Sequence, residues 1–304
     1  MVRPFITRFA PSPTGPLHLG HAYATKVAYE LACKSNGKMI LRIDDIDHTR
    51  CQEKFIQPIF TDLEWLGFTW HGSKNVNNSA APRQSNRHSF YQEAFATLKD
   101  LDLLYPCYLS RRELNKLLSA PHTPLSELSH TQQLKKHITN TDQLLAQDEK
   151  ERRRANGHCA AWRLRMESAI KLVQRDKSDQ LSWFDYITGH QTADPKIFGD
   201  IVIARADIAV SYHLSVVVDD AIDGVTLVTR GKDLAPSTHV HRLLQALLNL
   251  PVPDYCHHPL LLDQSGNRLS KRNSSLSLSE LRKMNANPLG IFAKMPPIPK
   301  LETL

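Results

Sequence analysis

The chain has 304 residues, 41% of them hydrophobic, enough to bury a sizeable core in one large domain carrying an insertion or in two domains. An excess of 38 Lys and Arg over 31 Asp and Glu gives +7, which favours polyanionic partners but falls far short of a disordered basic tail. The five cysteines, Cys33, Cys51, Cys107, Cys159 and Cys256, form no CxxC pair, and no apolar run reaches signal-peptide or membrane-spanning length, so the expectation is a soluble, cytoplasmic protein with no membrane partner.

"FITRFA" (5–10) predicts a strand, "PSPTGP" (11–16) a Pro/Gly loop and "LHLGHAYATKVAYELACKSNG" a helix closed by Gly37; "KMILRIDDID" is then an apolar strand ending in acids. This β, loop, α, β opening is the first unit of a parallel α/β sheet. Helices are predicted over 51–67, with Phe55, Ile59, Leu63 and Leu66 as its stripe and Gly67 as its end, and over 87–101, with Phe90, Ala94, Leu98 and Leu101 on one core face. Ser110 and Glu113 have capping-box spacing. From 119 to 158 the sequence is polar with weak helical patterning, and is read as an insertion. Strands resume at "AAWRLRM" and "DIVIAR", followed by the helix "SYHLSVVVDDAI", the strand "VTLVTRG" and the helix "PSTHVHRLLQALLNL".

Two stretches carry chemistry. "PSPTGPLHLGH" runs from a strand through a turn into a helix whose first turn holds His18, Gly20 and His21; the free N–H groups there suit phosphate, the imidazoles can donate to phosphate oxygens, and Gly20 leaves room for a flat base. "GNRLSKR" (266–272) places Ser270 and Lys271 in a basic turn, and nucleotidyl transfer needs cations where charge builds on phosphate.

Together these stretches resemble the HIGH and KMSKS signatures of class I aminoacyl-tRNA synthetases, the second with Arg268 for Lys and Leu269 for Met. "RFAPSPTGPLHLGH", "LRIDDID", "RQSNRHSFYQEA", "SYHLSVVVDDAIDGVTLVTRGKDL" and "HHPLLLDQSGNRLSKR" are similar, in order, to the catalytic domain of glutamyl-tRNA synthetases, and above all to short paralogues that glutamylate the queuosine base of tRNA(Asp). The resemblance implies an α/β Rossmann-type catalytic domain in two halves (1–106 and 196–263), an inserted acceptor-binding-like mixed α/β subdomain (107–195), and a signature loop with a short C-terminal helical segment (264–304) but no anticodon-binding domain. It implies ATP and Mg²⁺, L-glutamate and queuosine-bearing tRNA(Asp) as partners, with His18, Gly20, His21, Ser270 and Lys271 at ATP, and His18, His21 and Lys271 catalytic. Arg8, Ala10, Ser12, Asp44, Tyr212 and Arg230 would line the glutamate site, matching a substrate with two carboxylates and one ammonium. Which arginine takes which carboxylate stays open. So does a second reading, a glutamyl-tRNA synthetase catalytic fragment charging tRNA(Glu) with a separate anticodon module. Monomer is the default expectation.

Two positions depart from the pattern. Asp44 stands where relatives have Glu, one methylene longer, so a weaker grip on the substrate ammonium is expected. Cys107 is retained from a zinc knuckle of many relatives, but Leu109 replaces its second Cys and Cys159 aligns outside it; tetrahedral zinc needs about four ligands, so zinc is not expected. The run "ERRR" (151–154) and the C-terminal basic residues, Arg282 among them, are candidate phosphate contacts, and His257 and His258 are expected to pack or hydrogen-bond rather than bind metal.

Overall fold

The computed structural model describes residues 3–71, 81–110, 112–114, 139–175, 181–205, 210–261 and 276–301. Strand β1 (Ile6–Phe9) lies parallel to β2 (Lys38–Leu41) in the register Ile6↔Lys38 to Phe9↔Leu41, with helix α1 (Leu19–Lys34) as the crossover. The predicted first unit is therefore present. The helix stops at Lys34, and residues 35–37 make the turn. Gly37 is needed there because a Cβ would lie 1.9 Å from the Phe5 carbonyl oxygen, which also accepts from Lys38 N at 2.9 Å. The turn thus tucks beneath the start of β1.

The remaining core strands follow the same logic. β8 (Leu227–Gly231) pairs parallel with β9 (Asp254–His258), β5 (Ser182–Asp185) runs parallel to β9, and β6 (Gly189–Thr192) adds an antiparallel edge. Thr226 N donates to Ile6 O at 2.9 Å and Ile6 N to Thr226 Oγ1 at 2.8 Å, so β1 adjoins β8. A separate antiparallel sheet joins β3 (Leu104–Cys107), β4 (Ala161–Leu164) and β7 (Val202–Ala204). The helices on this frame are α2 (Ile56–Trp65), α3 (His88–Asp100), α4 (Gln147–Ala155), α5 (Met166–Arg175), α6 (Tyr212–Ile222) and α7 (Ser237–Leu247); α8 (Leu278–Lys283) and α9 (Pro288–Ala293) follow. Gly67, at φ +84°, ends α2 in the left-handed conformation, as expected. No helix among the described residues is long and apolar enough to cross a membrane.

Helix α3 keeps the middle of its expected stripe and departs at both ends. Ala94 and Leu98 are buried as expected, whereas Phe90 is 46% and Leu101 41% exposed. At the first turn Tyr91 takes the inward place of Phe90, its Oη donating to Asp219 Oδ1 at 2.8 Å inside the protein. Helix α4 has no buried residue at all, so hydrophobic periodicity had nothing to report. It is held instead by Arg153, which donates to Glu149, Glu113 and the Tyr108 carbonyl at 2.7–2.9 Å. Part of "ERRR" is therefore structural. Arg282 is structural too, paired at 3.2 Å with the buried Asp62 of α2. The Ser110–Glu113 capping box forms as predicted, while most of the polar stretch before Thr139 lies outside the described residues.

Beneath the catalytic half sits a buried ionic network. Arg42, with no exposed side-chain surface, follows β2 and donates to Asp44 (2.7 Å), Asp220 (2.8 Å) and Asp223 (3.0 Å); Arg87 binds Asp219 and Asp223; Arg8 binds Asp220 at 3.1 Å. Gln84 Nε2 donates to Asp219 as well. The acids come from the polar-satisfied side of α6 and the turn after it, so the network ties β1 and β2 to α6 and α3. Breaking one partner of a buried pair leaves its charge uncompensated at a cost of about 3–5 kcal/mol. Asp223→Ala should therefore lower unfolding stability by that order in urea denaturation, whereas Glu149→Ala, on the surface, should leave it nearly unchanged.

Candidate active site

The N-terminus of α1 is capped by histidine in both directions. His18 is the N-cap residue: its Nδ1 accepts from Gly20 N at 3.1 Å, and His21 Nδ1 accepts from His18 N at 3.1 Å. Two orphan amides are thus satisfied by imidazole nitrogens in place of the usual hydroxyl and carboxylate. An accepting Nδ1 on a neutral ring puts the proton on Nε2, so both imidazoles become Nε2–H donors with fixed tautomers. Their rings lie in contact, centroids 3.9 Å apart and planes tilted by 35°. Gly20 serves this arrangement directly, since a Cβ there would meet His18 Cε1 at 2.9 Å.

These residues border a cleft of about 530 Å³ that also receives Arg8, Ala10, Ser12, Asp44, Tyr212 and Arg230. All the expected glutamate-site residues and the first-signature residues are therefore gathered in one place. Ser270 and Lys271 lie outside the described residues, but both flanks of their segment reach the same region: His258 and Leu261 line the cleft, and Leu278 N donates to Leu17 O at 2.8 Å beside a His18–Ser277 bridge.

Within the cleft the two arginines differ. Arg8 is directly paired with Asp220 and also donates to Thr229 O at 3.0 Å. Among the described residues, Arg230 meets only neutral groups: Nε donates to His257 Nε2 (3.1 Å), Nη1 to Tyr212 Oη (3.3 Å) and His241 Nδ1 (3.2 Å), and Nη2 to Thr238 Oγ1 (2.6 Å). Burial, reinforced by Arg230, lowers the pKa of His241 well below the ordinary imidazole range and that of His213 to about 4. Burial lowers His257 as well, against the opposing pull of Asp185. With 6% of its surface exposed and no carboxylate partner among the described residues, the Arg230 guanidinium is placed to attract an anion from the cleft.

Asp44 faces the same space, as does Asp233. Burial pushes the Asp44 carboxyl up to about 6; Arg42 opposes this, but it is shared among several carboxylates, and Asp219 and Asp220 push in the same direction as burial. Sequence reasoning did not anticipate Arg42, the acids of α6 as its partners, or Thr238, His241 and His257 around Arg230. The available signal was acids inside the apolar run "VVVDDAID", which a buried helix tolerates only if they are paired.

Residues 4–295 match the family of class I tRNA synthetases (E and Q), catalytic domain. The chain belongs to this family. It is 39% identical over 293 residues to the glutamyl-Q tRNA(Asp) synthetase of Rhodobacter capsulatus, covering 94% of this chain and 98% of that protein. A second relative of the same name, from Symbiobacterium thermophilum, is 38% identical over 282 residues, 92% of this chain and 82% of that one. Among solved structures, a glutamate tRNA ligase from Elizabethkingia meningosepticum, in complex with its amino acid, superimposes with a TM-score of 0.67 at 26% identity, over 92% of this chain and 53% of the ligase. The chain spans about half the length of that ligase. The Rossmann-type class I catalytic fold expected from the sequence is therefore present, as a synthetase-type ligase domain.

A family zinc knuckle does not fit the described residues of this class I chain. Cys107 Sγ is buried with Tyr105, Leu109 and Leu114 and accepts from Thr141 Oγ1 at 3.3 Å, while Cys159 is exposed and contacts Gly157 O. His257 and His258 hydrogen-bond within the protein, as expected.

In the ammonium-binding role expected of it, Asp44 must be ionised, so function should be present above its pKa and fade below it. Glutamate-dependent kcat/KM in ATP–pyrophosphate exchange should fall by about tenfold per pH unit below about pH 6. Asp44→Asn should have low activity without that limb; an unchanged acid limb in the variant contradicts this role.

Proposed function

We propose that the chain activates L-glutamate with ATP as glutamyl-adenylate and transfers the glutamyl group to the queuosine base of tRNA(Asp). The observation that carries the amino-acid part is Arg230, a buried cation with neutral partners in the same cleft as Asp44 and the His18–His21 pair. Similarity along nearly the full length of relatives named glutamyl-Q tRNA(Asp) synthetase supports the acceptor.

In this reading a glutamate carboxylate oxygen attacks the α-phosphorus of ATP, the bond to pyrophosphate breaks, and a mixed anhydride forms. A queuosine hydroxyl then attacks the glutamyl carbonyl carbon, its proton leaves, and AMP departs as the ester forms. No covalent enzyme intermediate is required. The protein's part is placement and charge stabilisation. The Nε2–H groups of His18 and His21 donate to phosphate oxygens, and Gly20 keeps their cap closed beside the base. Ser270 and Lys271 approach the phosphates from the second signature. Arg8 and Arg230 take the carboxylates, Asp44 the ammonium and Tyr212 a further hydrogen bond, with Ala10 and Ser12 as the loop wall. Among the described residues no cluster of three or more His, Cys, Asp or Glu could hold a metal ion; Mg²⁺ would be held mainly by the triphosphate oxygens and would neutralise phosphate charge.

Labelled glutamate supplied with ATP should be incorporated into tRNA(Asp) bearing queuosine and not into the same tRNA lacking it. Label at the 3′ end of tRNA(Glu) instead would establish the second reading. Lys271→Ala should slow glutamate-dependent pyrophosphate exchange by about two to three orders of magnitude, on the scale of tenfold per 1.4 kcal/mol; wild-type exchange in that variant contradicts the role given to Lys271.

A further inference from the structure

We infer that Asp185 and His257 are positioning residues for substrate selection: a neutral imidazole placed between the carboxylate and Arg230 orients the guanidinium without neutralising it. The inference rests on the glutamate-activating reading and concerns how the same site recognises a carboxylate.

The geometry is built across three adjacent strands. Asp185 ends β5 opposite Tyr255, and His257 lies on β9 opposite Arg230 of β8. Asp185 Oδ1 accepts from Ile187 N at 2.8 Å, and Oδ2 accepts from His257 Nδ1. That bond places the ring proton on Nδ1 and leaves Nε2 to accept from Arg230 Nε. Tyr255, two residues earlier on the same face of β9, stacks on His257 with centroids 5.5 Å apart and an interplanar angle of 8°, and its ring lies 5.5 Å from the Arg230 guanidinium carbon. Thr238 Oγ1 completes the cradle between Arg230 Nη2 and His257 Nε2. On the far side, His241 accepts from Arg230 Nη1 and shares its other nitrogen with His213 Nδ1 at 3.2 Å.

The contrast with neighbouring arginines gives this arrangement its meaning. Arg8, Arg42 and Arg87 sit directly on carboxylates of the protein. A carboxylate placed directly on Arg230 would form the same kind of pair and compete with substrate. With Asp185 one imidazole away, the guanidinium is fixed in rotation and remains open to an incoming carboxylate.

The test compares His257→Gln, whose amide keeps an acceptor for Arg230 and a donor for Asp185, with His257→Leu, which keeps neither. In ATP–pyrophosphate exchange, His257→Leu should raise the KM for glutamate by about tenfold or more, the scale of one charge-assisted hydrogen bond, with the KM for ATP unchanged. His257→Gln should restore it to within about threefold. If His257→Leu does not fold, Thr238→Val reads the same split by removing the Nη2 partner. Equal changes in both KM values, or a His257→Gln variant that folds and is as impaired as the leucine variant, would overturn the inference. A wild-type protein without glutamate-dependent exchange overturns the parent reading instead, and this inference with it.

Discussion

A guanidinium with no exposed surface must be surrounded by acceptors, and Arg42 is where that requirement organises the molecule. It leaves the end of β2 and meets Asp44 from its own strand end, Asp220 from α6 and Asp223 from the turn after α6, across 178 and 181 residues of sequence for the last two. Asp220 continues the network to Arg8 on β1, Asp219 and Asp223 continue it to Arg87 at the start of α3, and Asp219 reaches Tyr91 within that helix. Such a set contributes less net stability than an apolar core of equal volume, but it fixes relative positions closely. Arg8 and Asp44 are members of the set and also walls of the cleft, so the recognition surface is the outer face of the structural network.

A division of labour among charges follows. Arg8 faces the cleft while paired with Asp220, and Asp44 faces it with its affinity for protons raised by burial among fellow aspartates. Arg230 is kept apart from every carboxylate among the described residues and wrapped in imidazoles that burial holds neutral. The cleft therefore presents two arginines, only Arg8 paired with a carboxylate among the described residues, and the acids Asp44 and Asp233, set beside a helix N-terminus whose two imidazoles cap it and present Nε2–H donors. An amino acid with a side-chain carboxylate, next to a triphosphate, is the cargo whose charges match.

Much of the frame was legible because local signals agreed with the global fold. The Pro/Gly loop, the apolar runs and Gly67 marked β1, α1, β2 and α2, and the chain alternated as a parallel sheet requires. The first turn of α3 was misread because Tyr91 takes the inward place through a hydroxyl bound to Asp219 rather than through hydrophobicity. Helix α4 carries no apolar stripe and is fastened by Arg153 alone among its basic run's inward contacts, which no periodicity reports. The site residues were named by resemblance, and the cleft brings the described ones together. Their supports, Arg42, His241, His257 and Asp185, were illegible because pairing over such separations leaves no trace in a single sequence.

The central claim is that an Arg230 without a carboxylate partner in the protein holds one of the substrate's carboxylates, and calorimetric binding of L-glutamate to the wild type and to Arg230→Gln tests it most directly. Arg230→Gln should bind L-glutamate about tenfold to a hundredfold more weakly than the wild type, the span of one charge-assisted hydrogen bond. A variant that folds and keeps the wild-type affinity for glutamate would contradict the account.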